Sequence, residues 1–249
     1  MTNPVELVDS ISKQTRVIIV GKDIFIVKNY ASEIGLMKWY IIALSNLTIK
    51  VYPFTQDPLE RMDREAKFYK AHVKCIMKPE FYIVDYTNLK LIRNFIKGRT
   101  YSYTAPLGVH YEIGKCLGKC HEEGWVFGDT KVTNFVFSDT GVYIIDAEQA
   151  IEKYDSRYAA WDILVLISTL STTGYFKALL DEHGFYRVIS EILNGYKEGN
   201  RRFWEVFANF RISEFKLLTY FLVPFPYNYY LSRKLSDILN NENNEYIKF

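Results

Sequence analysis

Cysteine is scarce in this chain: three residues in 249, an odd number. That is no disulfide framework of the kind that staples small secreted domains. Cys116 and Cys120 stand four apart and share a helix face, but no second Cys/His pair at ligand spacing accompanies them. Small buried core residues describe them better than a metal site. A long apolar run is also missing. The most apolar stretch, Phe215 to Tyr230, is broken by Lys216, Pro224, Pro226 and Asn228 and falls short of the ~18 clean apolar residues of a membrane span. Met1-Thr2-Asn3-Pro4-Val5-Glu6 has no basic region and no apolar core, so it does not read as a signal peptide. Net charge is nearly absent: 31 Lys and Arg against 29 Asp and Glu leave +2. Such a balance exerts no bulk attraction on nucleic acid, and the closing Asn244-Glu245-Tyr246-Ile247-Lys248-Phe249 adds no basic tail. Repeats and low-complexity tracts are absent as well. The expectation is a cytoplasmic protein with no membrane segment and no direct nucleic-acid contact.

What is present is ordinary in bulk and unusual in one respect. Apolar residues make up 49% and charged residues 24%, as in an average globular protein. Aromatic residues number 41, of which 20 are Tyr and 17 Phe, enough for a dense core. At about 100–200 residues per domain, the length allows one large domain or two small lobes.

The first part reads as strands. Arg16 to Lys28 is rich in Val and Ile, with a turn signal at Gly21-Lys22-Asp23; Gly35 to Ala43 and Leu47 to Tyr52 look like two more. A helix follows, with Asp57 as N-cap, Pro58 in its first turn and Glu60 completing a capping box. Met62, Ala66, Tyr69 and Val73 recur at helical spacing, and Glu65 borders that face. Strands are expected again at Phe81–Asp85 and Leu89–Phe95. After Gly98 the pattern turns helical, with helices expected from Leu107 to an end at Gly124, and at Arg157–Ser171, Tyr175–Lys197, Arg201–Tyr220 and Tyr229–Asn240. A short hairpin, Phe135–Phe137 and Val142–Ile145, lies inside that half.

The chemistry concentrates around this hairpin. Asp129, Lys131 and Asn134 fall in the loop before its first strand, and Asp146 stands just after its second. A hairpin returns the chain beside itself, so Asp129, Asn134 and Asp146 are expected to meet at one end. Asp146 and Asn134 offer the hard oxygen donors that Mg²⁺ prefers. Asp129 is placed to orient or deprotonate a hydroxyl, and Lys131 to neutralise a transferring phosphoryl group. None of the four histidines lies in this loop. Glu148 is left open between metal support and a structural role.

The order Asp129-x-Lys131-x-x-Asn134, followed by Asp146 seventeen residues past Asp129, resembles the protein-kinase-like superfamily. Nearly the whole chain is covered by the resemblance. It implies ATP and Mg²⁺ as cofactors and a strand lysine paired with a helix glutamate, positions filled here by Lys50 and Glu65, with Lys38 the rival to Lys50. It implies a hinge at about Ile92 to Phe95, with Ile92 and Asn94 at the adenine, and a helix Asp162 that hydrogen-bonds the catalytic loop. Departures are equally plain. No G-x-G-x-x-G loop lies near the first strands, Phe127 stands where the family has His, and D-F-G is replaced by Asp146-Ala147-Glu148. Only 15 residues separate Asp146 from Asp162, too few for a long activation segment. RIO-type kinases and the small kinase of the KEOPS tRNA-modification complex are similar in this respect. Gly128-Asp129 and Ile145-Asp146-Ala147-Glu148 also look like aminoglycoside and choline phosphotransferases, whereas Lys131 matches Ser/Thr protein kinases.

The expected fold is α+β and bilobal. Residues 1–97 form a small lobe with a five-stranded antiparallel sheet and one main helix, and 98–249 a mostly helical lobe carrying the catalytic hairpin. The expected function is an ATP- and Mg²⁺-dependent phosphotransferase, an atypical serine/threonine kinase with a protein substrate and membership of a complex in view. A small-molecule phosphotransferase, a pseudokinase and an ATPase subunit are the alternatives.

Overall fold

A computed structural model of the chain describes residues 15–31 and 51–246. Strands β1 (Thr15–Val20) and β2 (Asp23–Asn29) form a hairpin around Gly21-Lys22, in register from Thr15↔Lys28 to Val20↔Asp23. After helix α1 (Pro58–Lys70), strands β3 (Phe81–Asp85) and β4 (Lys90–Asn94) complete an antiparallel sheet in the order β1-β2-β4-β3. Among the described residues β1 is an edge strand, exposed along its whole length. β2 alternates, burying Ile26 and Lys28, as a half-buried strand does.

Helix α1 starts where the sequence places it. Asp57 accepts from the backbone N–H groups of Leu59 and Glu60, each at 3.3 Å. The capping box itself is not closed. Glu60 binds the Thr55 hydroxyl (2.5 Å) and Arg64 (2.6 Å), and the Asp57 N–H donates to Thr55 instead. The expected strand Gly35–Ala43 and positions 47–50 of the next, with Lys38 and Lys50, lie outside the described residues. Val51 and Tyr52 sit in a buried turn and bend rather than a strand. Among the described residues the sheet therefore has four strands, where five were expected.

The second half is helical around a small β-insert. After β5 (Arg99–Thr100), helix α2 (Leu107–Glu122) leads into β6 (Trp125–Val126) and the hairpin β7 (Phe135–Ser138) and β8 (Gly141–Ile144). β9 (Ile151–Glu152) pairs with β6, and β5 with β7. Helices α3 (Ser156–Thr173), α4 (Tyr175–Leu180), α5 (Glu182–Gly199), α6 (Phe203–Ala208), α7 (Ser213–Leu222) and α8 (Tyr227–Tyr246) follow. The long helix expected from Tyr175 is broken because Asp181 caps a new one, accepting from Gly184 N–H at 2.8 Å. The one expected from Arg201 is broken by a 3₁₀ turn at Asn209–Arg211.

α3 is the central helix. Ala159, Ala160, Ile163, Leu164, Leu166, Ile167 and Leu170 are all fully buried, so apolar residues occupy more than one stripe. α2 and α5 pack backbone to backbone. A Cβ at Gly114, Gly118, Gly195 or Gly199 would collide with the facing helix's carbonyl oxygens.

Two sequence expectations need correcting. Cys120 is buried as expected, but it is disulfide-bonded to Cys75, 45 residues earlier, with 4.9 Å between Cα atoms; only Cys116 is free. The fold creates this pair by laying the segment after α1 against α2, a proximity that spacing along the chain does not reveal. The aromatic residues, expected above to supply a dense core, also divide near Tyr220. Val223 and Tyr227 are buried, whereas Tyr220, Phe221, Phe225 and Tyr229 are exposed, because only one side of α7 and α8 meets the core.

Candidate active site

The site lies where β2, α1 and the segment after β8 converge. Lys28 projects from the buried face of β2, and its Nζ lies 2.7 Å from Glu65 Oε2, 2.7 Å from Asp146 Oδ1 and 3.2 Å from Glu148 Oε2. Glu65 comes from α1, and its Oε1 accepts from the Tyr69 hydroxyl at 2.7 Å. Its Oε2 accepts from the Tyr30 hydroxyl as well. Glu148 Oε2 also receives Arg61 Nη2 at 2.7 Å. Glu65, Asp146 and Glu148 each offer an oxygen, and these oxygens lie within 4.8 Å of one another.

The electrostatics follow from this geometry. Burial works against the Lys28 charge, but Asp146, Glu148 and Glu65 outweigh it and raise its pKa well above the ordinary lysine value. Burial likewise works against the Asp146 carboxylate, and Lys28 and Lys131 outweigh it, lowering its pKa well below the usual range. Glu148 is also lowered, with burial and Asp146 opposed by Lys28 and Arg61. Asp146 and Glu148 thus stay ionised beside a protonated Lys28, each charge offsetting its neighbours.

The loop before β7 is built around Asp162 of α3. Asp162 Oδ2 accepts from the Phe127 N–H (2.7 Å) and from His121 Nε2 (3.0 Å), while Oδ1 accepts from the Gly128 N–H (2.6 Å). Gly128 has φ +70° and lies against the Tyr52 ring, where a Cβ would collide, so only glycine fits before Asp129. Trp161 Nε1 donates to the Gly128 carbonyl at 2.8 Å. Held this way, Asp129 receives Lys131 Nζ at 2.6 Å. Burial opposes the Lys131 charge, but Asp129 and then Asp146 raise its pKa. Asn134 Nδ2 donates to the Asp129 carbonyl (2.7 Å), which leaves the amide oxygen as its acceptor end. The Ile145 N–H donates to the Asn134 carbonyl (2.9 Å), fixing Asn134 beside the residue that precedes Asp146. Asp129, Lys131, Asn134 and Asp146 are thereby gathered on one side of the hairpin.

The remaining expected positions fall elsewhere. Ile92 lies within the sheet, opposite Val27 and Ile83. Asn94 ends β4; its N–H donates to Glu80 (2.9 Å) and its carbonyl accepts from Arg93 Nη1 (3.1 Å). It lines a cleft of about 930 Å³ with Phe25, Phe95 and Lys97, and that lining includes none of the charged cluster. Arg93 links this strand to the site by donating from Nη2 to the Ile145 carbonyl at 3.1 Å.

Lys28 is the residue that sequence reasoning missed. The role was given to Lys50, which lies outside the described residues, and the ammonium found on Glu65 is that of Lys28. Its signal was present: Ile26, Lys28 and Tyr30 alternate on one buried face of an apolar strand. A lysine buried there calls for a carboxylate partner.

An antiparallel sheet with a Lys–Glu pair to its helix, a helical half, and a D-x-K-x-x-N loop beside a hairpin-borne Asp are the features in which this chain resembles the protein-kinase-like superfamily. Comparison with known proteins narrows the class. No protein-family model matches the chain. It is 31% identical over 153 residues to a probable bifunctional tRNA threonylcarbamoyladenosine biosynthesis protein of Methanococcus maripaludis, covering 58% of this chain and 26% of that one. It is 28% identical over 149 residues to the KEOPS complex subunit Bud32 of Pyrococcus abyssi, covering 56% of this chain and 64% of that one. The match spans about a quarter of the bifunctional relative's length and about two thirds of the KEOPS subunit's. Among solved structures, choline kinase LicA from Streptococcus pneumoniae matches with a TM-score of 0.41 and 11% identity over 92% of this chain and 90% of that one.

Proposed function

We propose that this chain is an ATP- and Mg²⁺-dependent phosphotransferase of the Bud32/KEOPS type that transfers the γ-phosphoryl group to a serine or threonine hydroxyl of a protein. The observation that carries this reading is the Lys28–Glu65–Asp146 cluster beside Asp129, Lys131 and Asn134. In it, Lys28 binds the nucleotide phosphates and Glu65 fixes its ammonium. Asp129 accepts the proton of the attacking hydroxyl, and Lys131 stabilises charge at the transferring group. The donor set fits a magnesium ion: hard oxygens only, with Asp146 held ionised and the Asn134 amide turned by its bond to Asp129. Asp146 and Asn134 would hold the metal, which supplies charge neutralisation at the phosphates when bound.

The relatives' names favour a second reading. They describe a subunit of a complex and proteins of tRNA threonylcarbamoyladenosine biosynthesis. Hydrolysis of ATP within such an assembly would use the same cluster, with water in place of the hydroxyl. Radiolabelled γ-phosphate, followed into a protein acceptor, into amino alcohols and into free phosphate, separates these uses. Asp129→Ala is expected to slow transfer by about 10²–10⁴-fold, as loss of a general base does. Undiminished transfer by that variant would remove Asp129 from the mechanism. Labelling of amino alcohols alone would exclude the protein acceptor.

A further inference from the structure

Arg61 is the least explained charge in the molecule. It lies on α1, one turn before Glu65, and is completely buried. Its Nη2 meets Glu148 Oε2 at 2.7 Å, while Nε and Nη1 find no hydrogen-bond partner among the described residues. Its guanidinium lies 5.8 Å from the centre of the Tyr30 ring, whose hydroxyl is on Glu65. A guanidinium buried with unused donors is costly. Its one ion pair among the described residues must therefore matter to the arrangement around it.

That contact is to a shared atom. Glu148 Oε2 receives both Arg61 Nη2 and Lys28 Nζ, at 2.7 and 3.2 Å. Glu148 is two residues past Asp146, and the next residue, Gln149, is clipped to the segment ahead of α1. Gln149 Nε2 donates to the Thr55 carbonyl (2.9 Å), and Gln149 Oε1 accepts from the Thr55 N–H (3.0 Å). The Tyr52 hydroxyl donates to the Gln149 carbonyl at 2.7 Å. The segment carrying Asp146 is thus tied to α1 and its approach by an ion pair and three hydrogen bonds.

We propose that Arg61 and Glu148 are positioning residues, a second buried ion pair that holds α1 and the Asp146 segment together and so fixes the Lys28 ammonium between Glu65 and Asp146. This extends the phosphotransferase reading and rests on it for its catalytic meaning. It names what holds the cluster assembled in a chain with 15 residues between Asp146 and Asp162.

The test reads the Lys28 ammonium directly, without nucleotide. The full chain is treated with an amine-acylating ester below its melting temperature, and acylation of Lys28 is followed by mass spectrometry. Lys28 of the wild type is expected to react slowly, being buried and held in ion pairs with three carboxylates. Arg61→Met and the near-isosteric Glu148→Gln are each expected to speed it about tenfold or more, by lowering the cost of local opening. Arg61→Lys is expected to restore most of the protection, because only one guanidinium nitrogen is engaged. Should Arg61→Met fail to fold, Glu148→Gln against wild type decides. Unchanged Lys28 acylation in folded Glu148→Gln, or a lowered melting temperature alone in Arg61→Met, overturns the proposal. A thermal shift with Mg·ATP on the wild type separates the two levels. Absence of a shift contradicts the phosphotransferase reading, while the acylation rates still decide the clamp.

Discussion

Lys28, Arg61, Glu65, Asp146 and Glu148 put five charges into a space closed to water on most sides. The pH response of the group follows from the three members whose titration is displaced, Lys28, Asp146 and Glu148. The Asp146 and Glu148 values are lowered in the folded chain. Their contribution is present above the unfolded carboxylate values of about 4 and is lost as pH falls through the lower folded ones. The Lys28 value is raised, so its contribution is complete below about 10.4 and is lost as pH rises through the folded value. Denaturant midpoints should therefore show no loss from this cluster between about pH 5 and 10 and a fall below about pH 4. The acid slope should be shallower in Glu148→Gln. An equal acid slope in both proteins would mean that Glu148 is not ionised in the folded state. At this scale the sequence was half legible. Asp129, Asn134 and Asp146 are near neighbours along a loop and a hairpin, so spacing alone brings them together. Lys28 reaches Glu65 across 37 residues and Asp146 across 118, and only the strand's alternation hinted at it.

The elements were legible where local chemistry decides them. Asp57 and Pro58 start α1 as the capping rules require, and the Gly21 turn sets the first hairpin. Breaks inside the helical half were harder to see. The apolar period runs through Asp181, and only its side chain on the Gly184 N–H shows that a new helix begins there. Gly114 and Gly118 of α2, with Gly195 and Gly199 of α5, carry no local signal for their role, which is to let two helices meet at backbone distance. That contact makes a prediction. Gly114→Ala places a methyl group against the Ile192 backbone of α5; overpacking of this kind costs about 1–3 kcal/mol. A lower urea midpoint at unchanged slope is the expected result. An unchanged midpoint would show that the helices separate freely.

At the scale of the molecule, the sheet half and the helical half are joined at several places besides the charged cluster. Met77 bridges to β8 through two backbone hydrogen bonds of 3.0 Å, Arg93 reaches the Ile145 carbonyl, and the Cys75–Cys120 bond joins the segment after α1 to α2. The change from a strand-rich to a helical half was legible from the texture near Gly98. These ties were not, because each joins residues far apart in sequence. The scarcity of cysteine pointed away from disulfides, yet one pair found a partner through the fold. Exposed aromatic residues on α7 and α8 likewise show that a high aromatic content does not all serve the core.

The central claim is that Lys28, Glu65 and Asp146 form a Mg·ATP site. Its most direct measurement is the thermal stability of the wild type, Lys28→Met and Asp146→Ala, each with and without Mg·ATP. At nucleotide concentrations 100-fold above Kd the wild type should gain about 2.7 kcal/mol, and both variants should lose that gain while remaining folded. A nucleotide-induced gain of the same size in Lys28→Met and Asp146→Ala would contradict the account.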